Sequence, residues 1–221
     1  MVQKKTVPPS RPTKDVASAP KRRGRPRAYE PDVALGKALA LFRQEGFAAT
    51  SLDDLSAATG MNRPSLYGAF GDKRELYIKS YQRYRNDARA VTADIFREDM
   101  PIRERLAHIY AAALDIYLSG DTGPLGCFTV MTAASEAVAD PEIRGMVTDA
   151  LSGLDKAFAS CFGRAKEKGE LSASADPAAL AQLASATIHT IAIRARARVP
   201  RSELEAIVQG AIDVMVPGST R

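Results

Sequence analysis

Three helix starts crowd into the stretch between Thr50 and Asp72, and this density constrains the fold more than any other feature of the chain. Thr50 or Ser51 offers a hydroxyl to the first free amides of a helix, and Asp53 or Asp54 three residues later completes a capping-box spacing. Leu52, Leu55 and Ala58 give that helix one apolar face, Gly60-Met61 breaks it, and Asn62 caps the next. Pro64 suits a first helical turn, where its missing amide removes no hydrogen bond. Asp72 with Glu75 then repeats the box spacing. Two short helices across a tight glycine turn, with Leu52, Leu55, Leu66 and Phe70 to pack them, form a helix-turn-helix.

Helical spacing extends to both sides. Leu35, Ala38, Leu39 and Phe42 recur at three and four after Pro31, and Gly46 stops that helix. Tyr77, Tyr81, Tyr84, Ala88, Val91 and Ile95 line one face of a long fourth helix. Beyond Pro101, the prolines and glycines predict helices near 101–118, 125–138, 141–168, 177–197 and 202–216, the last capped by Ser202 with Glu205. Alanine is abundant, tryptophan is absent and alternating β-branched runs are scarce. The expected fold is all-α, with a three-helix head and a larger helical body, about nine helices together. The boundaries read as an arm over 1–28, a head over 29–78 and a body over 79–221.

The charge is unevenly placed. Residues 1–28 hold nine of the 31 Lys and Arg and one of the 26 acidic residues, which leaves 22 basic against 25 acidic elsewhere, a net of −3. Five of the thirteen prolines lie in the same stretch, so it is read as an unstructured, polyanion-binding arm. No apolar signal segment follows it and no apolar run is long enough to span a bilayer, which points to a soluble, cytoplasmic protein with no membrane partner.

The run Thr50-Ser51-Leu52-Asp53-Asp54-Leu55-Ser56-Ala57-Ala58-Thr59-Gly60-Met61, followed by Ser65-Leu66-Tyr67, Phe70, Lys73 and Leu76-Tyr77, resembles the DNA-binding head of the TetR family over about residues 31–78. The resemblance implies a nine-helix architecture, a homodimer held by the last two long helices, a double-stranded operator as partner, and release by a small-molecule effector. It implies repression rather than activation, and a place on bacterial DNA.

On that reading, the exposed start of the third helix reaches base edges in the major groove. Arg63 is the base reader, because its fork can bond guanine bidentately; Pro64 sits beside it, and Ser65 adds a donor or acceptor. Tyr67, Lys73 and the amides at Thr50 and Ser51 are assigned to phosphates. Gly68 and Ala69 are smaller than the family commonly carries there. In the arm, Arg23-Gly24-Arg25-Pro26-Arg27 resembles an AT-hook core, so Arg23, Arg25 and Arg27 enter a narrow minor groove or attract phosphate diffusely.

In the body, two Ala-rich stripes are candidates for the dimer interface: Leu180, Leu183, Ile188 and Ile191, and Leu204, Ile207, Val208, Ala211, Ile212 and Met215. Phe96, Tyr110, Leu114, Tyr117, Cys127, Phe128, Met131, Phe158 and Phe162 are candidates to line an effector cavity, with His189 as a polar partner, although the same pattern would fill a core. Cys127 opens a helix, where the dipole favours a thiolate, so it is read either as an electrophile or redox sensor or as a buried thiol. No catalytic constellation, metal-ligand spacing or phosphate loop accompanies Cys127 and His189, so neither an enzyme nor a cofactor is expected. A non-specific architectural DNA binder that works through its arm is the remaining alternative.

Overall fold

A computed structural model describes residues 30–120 and 123–218, so the expectations for Arg23, Arg25 and Arg27 lie outside the described residues. Ten helices appear among them: α1 Pro31–Glu45, α2 Leu52–Thr59, α3 Arg63–Phe70, α4 Lys73–Arg97, α5 Ile102–Leu118, α6 Phe128–Ala134, α7 Glu136–Ala139, α8 Pro141–Glu167, α9 Pro177–Arg196 and α10 Arg201–Met215. No strand occurs among the described residues.

The caps set the head. Ser51 accepts from the Asp54 amide while Asp54 accepts from the Ser51 amide, and Asp72 and Glu75 form the same reciprocal box at the start of α4. Asn62 accepts from the Ser65 amide to start α3. Gly60 closes α2 at φ 72°, a left-handed position that glycine takes without a Cβ penalty.

Two boundaries differ from the sequence expectation. The helix expected over 125–138 begins at Phe128 and breaks at Ser135, whose hydroxyl donates to the Met131 carbonyl one turn back, giving α6 and α7. Residues 125–127 stay outside it because Gly126 has φ 65° and lies so close to α9 that an added Cβ would stand 2.8 Å from the Ala192 carbonyl oxygen. The last helix starts at Arg201 after Pro200, without the expected Ser202 cap; Arg201 bonds Glu205 instead, at 2.8 Å.

α8 and α9 pair most extensively, α10 lies against α9 and α5, and α4 passes from the head into the body between α5 and α8. Head and body share one core. Phe42 of α1 meets Tyr77 of α4 edge-on at 5.1 Å, and Tyr77 meets Phe128 of α6 at 5.2 Å. The Tyr77 hydroxyl is hydrogen-bonded with that of Thr132 and donates to Glu136, so the buried phenol is satisfied.

Candidate functional site

Leu66 and Phe70 are buried under α3, which turns Arg63, Pro64, Tyr67 and Gly68 outward, with Ser65 partly covered. This is the exposed face that base reading requires. Arg63 is not free on it. Its Nε and Nη2 donate to Asp53 of α2 at 3.1 and 2.7 Å, a bidentate pair in which both side chains are more than half exposed. The pair holds the fork ready but gives it a competing carboxylate.

The expected phosphate contacts at the start of α2 are differently engaged. Thr50 is buried and its hydroxyl donates to the Gly46 carbonyl, so it shapes the turn between α1 and α2. Both the amide and the hydroxyl of Ser51 face Asp54, which places a carboxylate where an anion was expected. Tyr67 is exposed, and Lys73 stands 4.4 Å over the Phe47 ring, half-buried at the edge of the head.

In the body, a cavity of about 470 Å³ runs along α4 and is walled by α5 and α8, with α6 and α9 closing it. Three of the ten sequence candidates line it: Phe96, Tyr117 and Cys127. The others fill the core around it. Phe128 lies under Tyr77, Tyr81 and Tyr84, and Tyr110 donates to the Ala184 carbonyl and stacks on Phe158. Leu114 and Phe162 are fully buried, Met131 packs against the core, and His189 is half-buried beside Asp155, with burial lowering its pKa. Side chains at core positions touch neighbours on every side, and helical spacing does not distinguish them from a wall.

The space arises where small residues face each other, among them Ala88, Ala113, Ala150, Gly153 and Ala157. One end is polar. Cys127 lies within hydrogen-bonding reach of the Tyr84 and Tyr117 hydroxyls, and burial pushes both phenols well above their ordinary pKa. Sequence reading missed the residue that ties this end to the head. Arg43, from the last turn of α1, donates to the carbonyls of Ile116 and Gly126 at 3.1 and 3.0 Å and stands 5.2 Å over the Tyr84 ring. Arg196 of α9 clasps the same corner from outside, donating to the carbonyls of Arg43, Gln44 and Leu125. Arg85, Arg89 and Arg97 of α4, also missed, line the cavity on the stripe of Ala88, Thr92 and Phe96; their three- and four-residue spacing was the available signal.

The proposed dimer stripe divides in two. Ile188, Ile191, Leu204, Val208, Ile212 and Met215 are buried within the protomer, against the chain's own α5, α8, α9 and α10, and cannot form an interface with a second copy. Leu180, Leu183, Ile207 and Ala211 remain at least partly exposed, and the outward face adds Ile193 at 57% and Val214 at 70% exposure. Among the described residues, no helix is long and apolar enough to cross a membrane, and no group of three His, Cys, Asp or Glu side chains could hold a metal ion.

Two family descriptions match the chain: "Bacterial regulatory proteins, tetR family" over residues 34–79, and "Tetracyclin repressor-like, C-terminal domain" over residues 103–211. The HTH-type transcriptional repressor ComR of Escherichia coli K12 is 32% identical over 177 residues, 80% of this chain and 84% of that protein. The repressor BdcR of the same organism is 36% identical over 121 residues, 55% of this chain and 59% of its own. Among solved structures, a cysteine-substituted CifR, a TetR family regulator complexed with a 26-base-pair operator duplex, matches with a TM-score of 0.76 at 29% identity, over 86% of this chain and 98% of that one. The matches run along most of the chain, and the chain belongs to the TetR family of bacterial regulatory proteins.

Proposed function

We propose that the protein is a homodimeric repressor that places two copies of α3 in successive major grooves of a palindromic operator and is released when a small amphipathic effector enters the body cavity. The observation that carries this reading is continuity: α4 starts at the end of the helix-turn-helix and lines the cavity with its second half, while Arg43 joins α1 to the cavity's polar end. The dimer is assigned to the outward face of α9 and α10, with Leu180, Leu183, Ile193, Ile207, Ala211 and Val214 meeting their symmetry mates. Binding of operator DNA by CifR and the repressor function of ComR and BdcR support the same assignment.

The test is footprinting on DNA upstream of the protein's own gene, followed by titration of the protected duplex at fixed salt. A protected palindrome with half-sites about 34–36 Å apart is the expected result. Arg63→Ala should weaken the preferred site by about 1–3 kcal/mol and relax specificity at one base pair of each half-site. Equal affinity for all duplexes would overturn the reading in favour of an architectural binder.

A second reading has its own observation: Cys127, although buried, lines the cavity. An electrophile entering the cavity would meet this thiol, and modification would replace effector binding as the trigger. Complete alkylation of Cys127 with no change in operator affinity excludes it.

A further inference from the structure

We infer that the cavity is built for an anionic amphiphile, whose carboxylate sits between Arg85 and Arg89 and whose apolar chain runs along α4 toward Phe96. This deepens the effector reading above and rests on it for its regulatory meaning, but not for the binding itself. Among the described residues, three arginines line the cavity and no Asp or Glu does. Arg97 is already paired with Asp94, and Asp87 pairs with Arg83, which leaves Arg85 and Arg89 as the cavity cations without a carboxylate partner among the described residues. Arg85 makes one hydrogen bond, from Nη1 to the Met146 carbonyl at 3.1 Å, and stands 6.0 Å from the Tyr81 ring. Arg89 has no hydrogen bond or ion pair among the described residues, and it faces Gly153, where the absence of a side chain leaves room beside its guanidinium.

Two guanidiniums one turn apart, without a carboxylate, make a site for a planar anion, because a fork can hold both carboxylate oxygens. The rest of the wall sets the tail. From the arginines the lining continues through Thr92 and Ala93 to Phe96, Ile109 and Leu154, an apolar surface suited to a hydrocarbon chain. Tyr84 and Arg97 bound the cavity along α4, a span of about 20 Å at the helical rise, so a chain of ten or so carbons fits with its head off-centre. Arg85 is half-buried and Arg89 is exposed at the cavity's edge, so a neutral ligand gains nothing from either charge and a cationic one would be repelled by them.

The experiment uses the full chain without DNA. Decanoate, decan-1-ol and decylammonium are titrated by calorimetry at fixed ionic strength, into the wild type and into Arg85→Gln, Arg89→Gln and Arg89→Lys. Decanoate should bind wild type roughly ten- to hundredfold more tightly than decan-1-ol, and decylammonium least. Arg89→Gln should remove most of that preference while leaving decan-1-ol binding unchanged, and Arg89→Lys should restore part of it. Arg89 holds nothing in the protomer, so its variants report binding and not folding. Equal affinity for the acid and the alcohol, or a preference that survives both glutamine variants, overturns the inference. Operator release is measured separately. Decanoate that binds through Arg89 without releasing DNA leaves the site standing and refutes the effector reading, whereas operator release by decan-1-ol alone does the reverse.

Discussion

Replacing Arg43 by Met tests whether head and body are coupled at the polar end of the cavity. The wild-type guanidinium makes two hydrogen bonds to carbonyls, at 3.0 and 3.1 Å, and one cation–π contact at 5.2 Å. Hydrogen bonds from a charged donor contribute about 1.5–3 kcal/mol each, and a partly desolvated cation–π contact about 1 kcal/mol. Opposing them is the cost of taking the guanidinium out of water, which lowers its pKa, and Nε has no partner inside. A net loss of about 2–3 kcal/mol follows, because Met fills the volume but leaves the Ile116 and Gly126 carbonyls without this donor. For a chain of this length that lowers Tm by roughly 5–10 °C, read by thermal unfolding at one fixed protein concentration, since a dimer's Tm depends on it. The more telling measurement is coupling: operator affinity of Arg43→Met with and without a cavity ligand should differ by a smaller factor than in wild type. A variant that unfolds within 1 °C of wild type and keeps the full ligand effect on DNA would refute the argument, and control would have to pass along α4 alone.

Removing the carboxylate that holds Arg63 should strengthen DNA binding. Asp53→Asn frees the fork and deletes a negative charge beside the duplex, for an expected gain of a few fold by fluorescence anisotropy, because so exposed an ion pair is weak; weaker binding would show that Asp53 positions Arg63 instead of competing for it. Ile193→Glu with Val214→Glu should give a monomer by sedimentation and abolish operator binding, because each charge would be trapped unpaired in the interface; a persistent dimer would place the interface elsewhere. Arg74 bonds Asp140 and Glu142 at the start of α8, and its guanidinium holds the Asp140 carboxyl at about 2, below the ordinary 3.8. The folded pKa is the lower one, so this contribution to stability is complete above about pH 4 and is lost as pH falls toward 2. In Arg74→Gln the carboxyl should titrate near its ordinary value by NMR, and an unchanged titration would assign the shift to the helix start alone.

What the sequence disclosed was local. Capping boxes at Ser51 and Asp72 need a side chain and an amide three residues apart, so spacing alone locates them, and the head followed. The body was less legible because α9 is apolar on two faces. Ala184, Ile188 and Ile191 turn inward at spacings of four and three, and Leu183, Ala186 and Ile193 turn outward at three and seven, and only the neighbouring helices decide which set meets a partner. The cavity was hidden for a related reason. It is an absence of side-chain volume shared among five helices, and no single helix records that Ala88, Ala113 and Gly153 face each other. Arg43, a cation near a helix C-terminus, reads as solvated until the loop at Gly126 is brought against it.

Placing a ligand site and a DNA-reading head on one helix has a mechanical consequence. From Lys73 at the head to Arg89 in the cavity wall, α4 is about 24 Å long at the helical rise. A tilt of about 5° about the cavity would carry α3 through roughly 2 Å, and two heads moving in opposite senses would change their separation by about 4 Å, against a groove repeat of about 34 Å. That is enough to take one recognition helix out of register with its bases. Stiffness makes the lever work: the Phe42–Tyr77–Phe128 rings bind α1, α4 and α6 into one packed unit, so the head follows α4. The body offers the opposite condition on the other side of α4, where small side chains leave it unsupported over the cavity. A ligand there supplies the missing contacts in whichever tilt fits it, and its influence on DNA equals its difference in affinity for the two tilts. Tight binding by itself would therefore not make an inducer; only a ligand that distinguishes the two positions of α4 would release DNA.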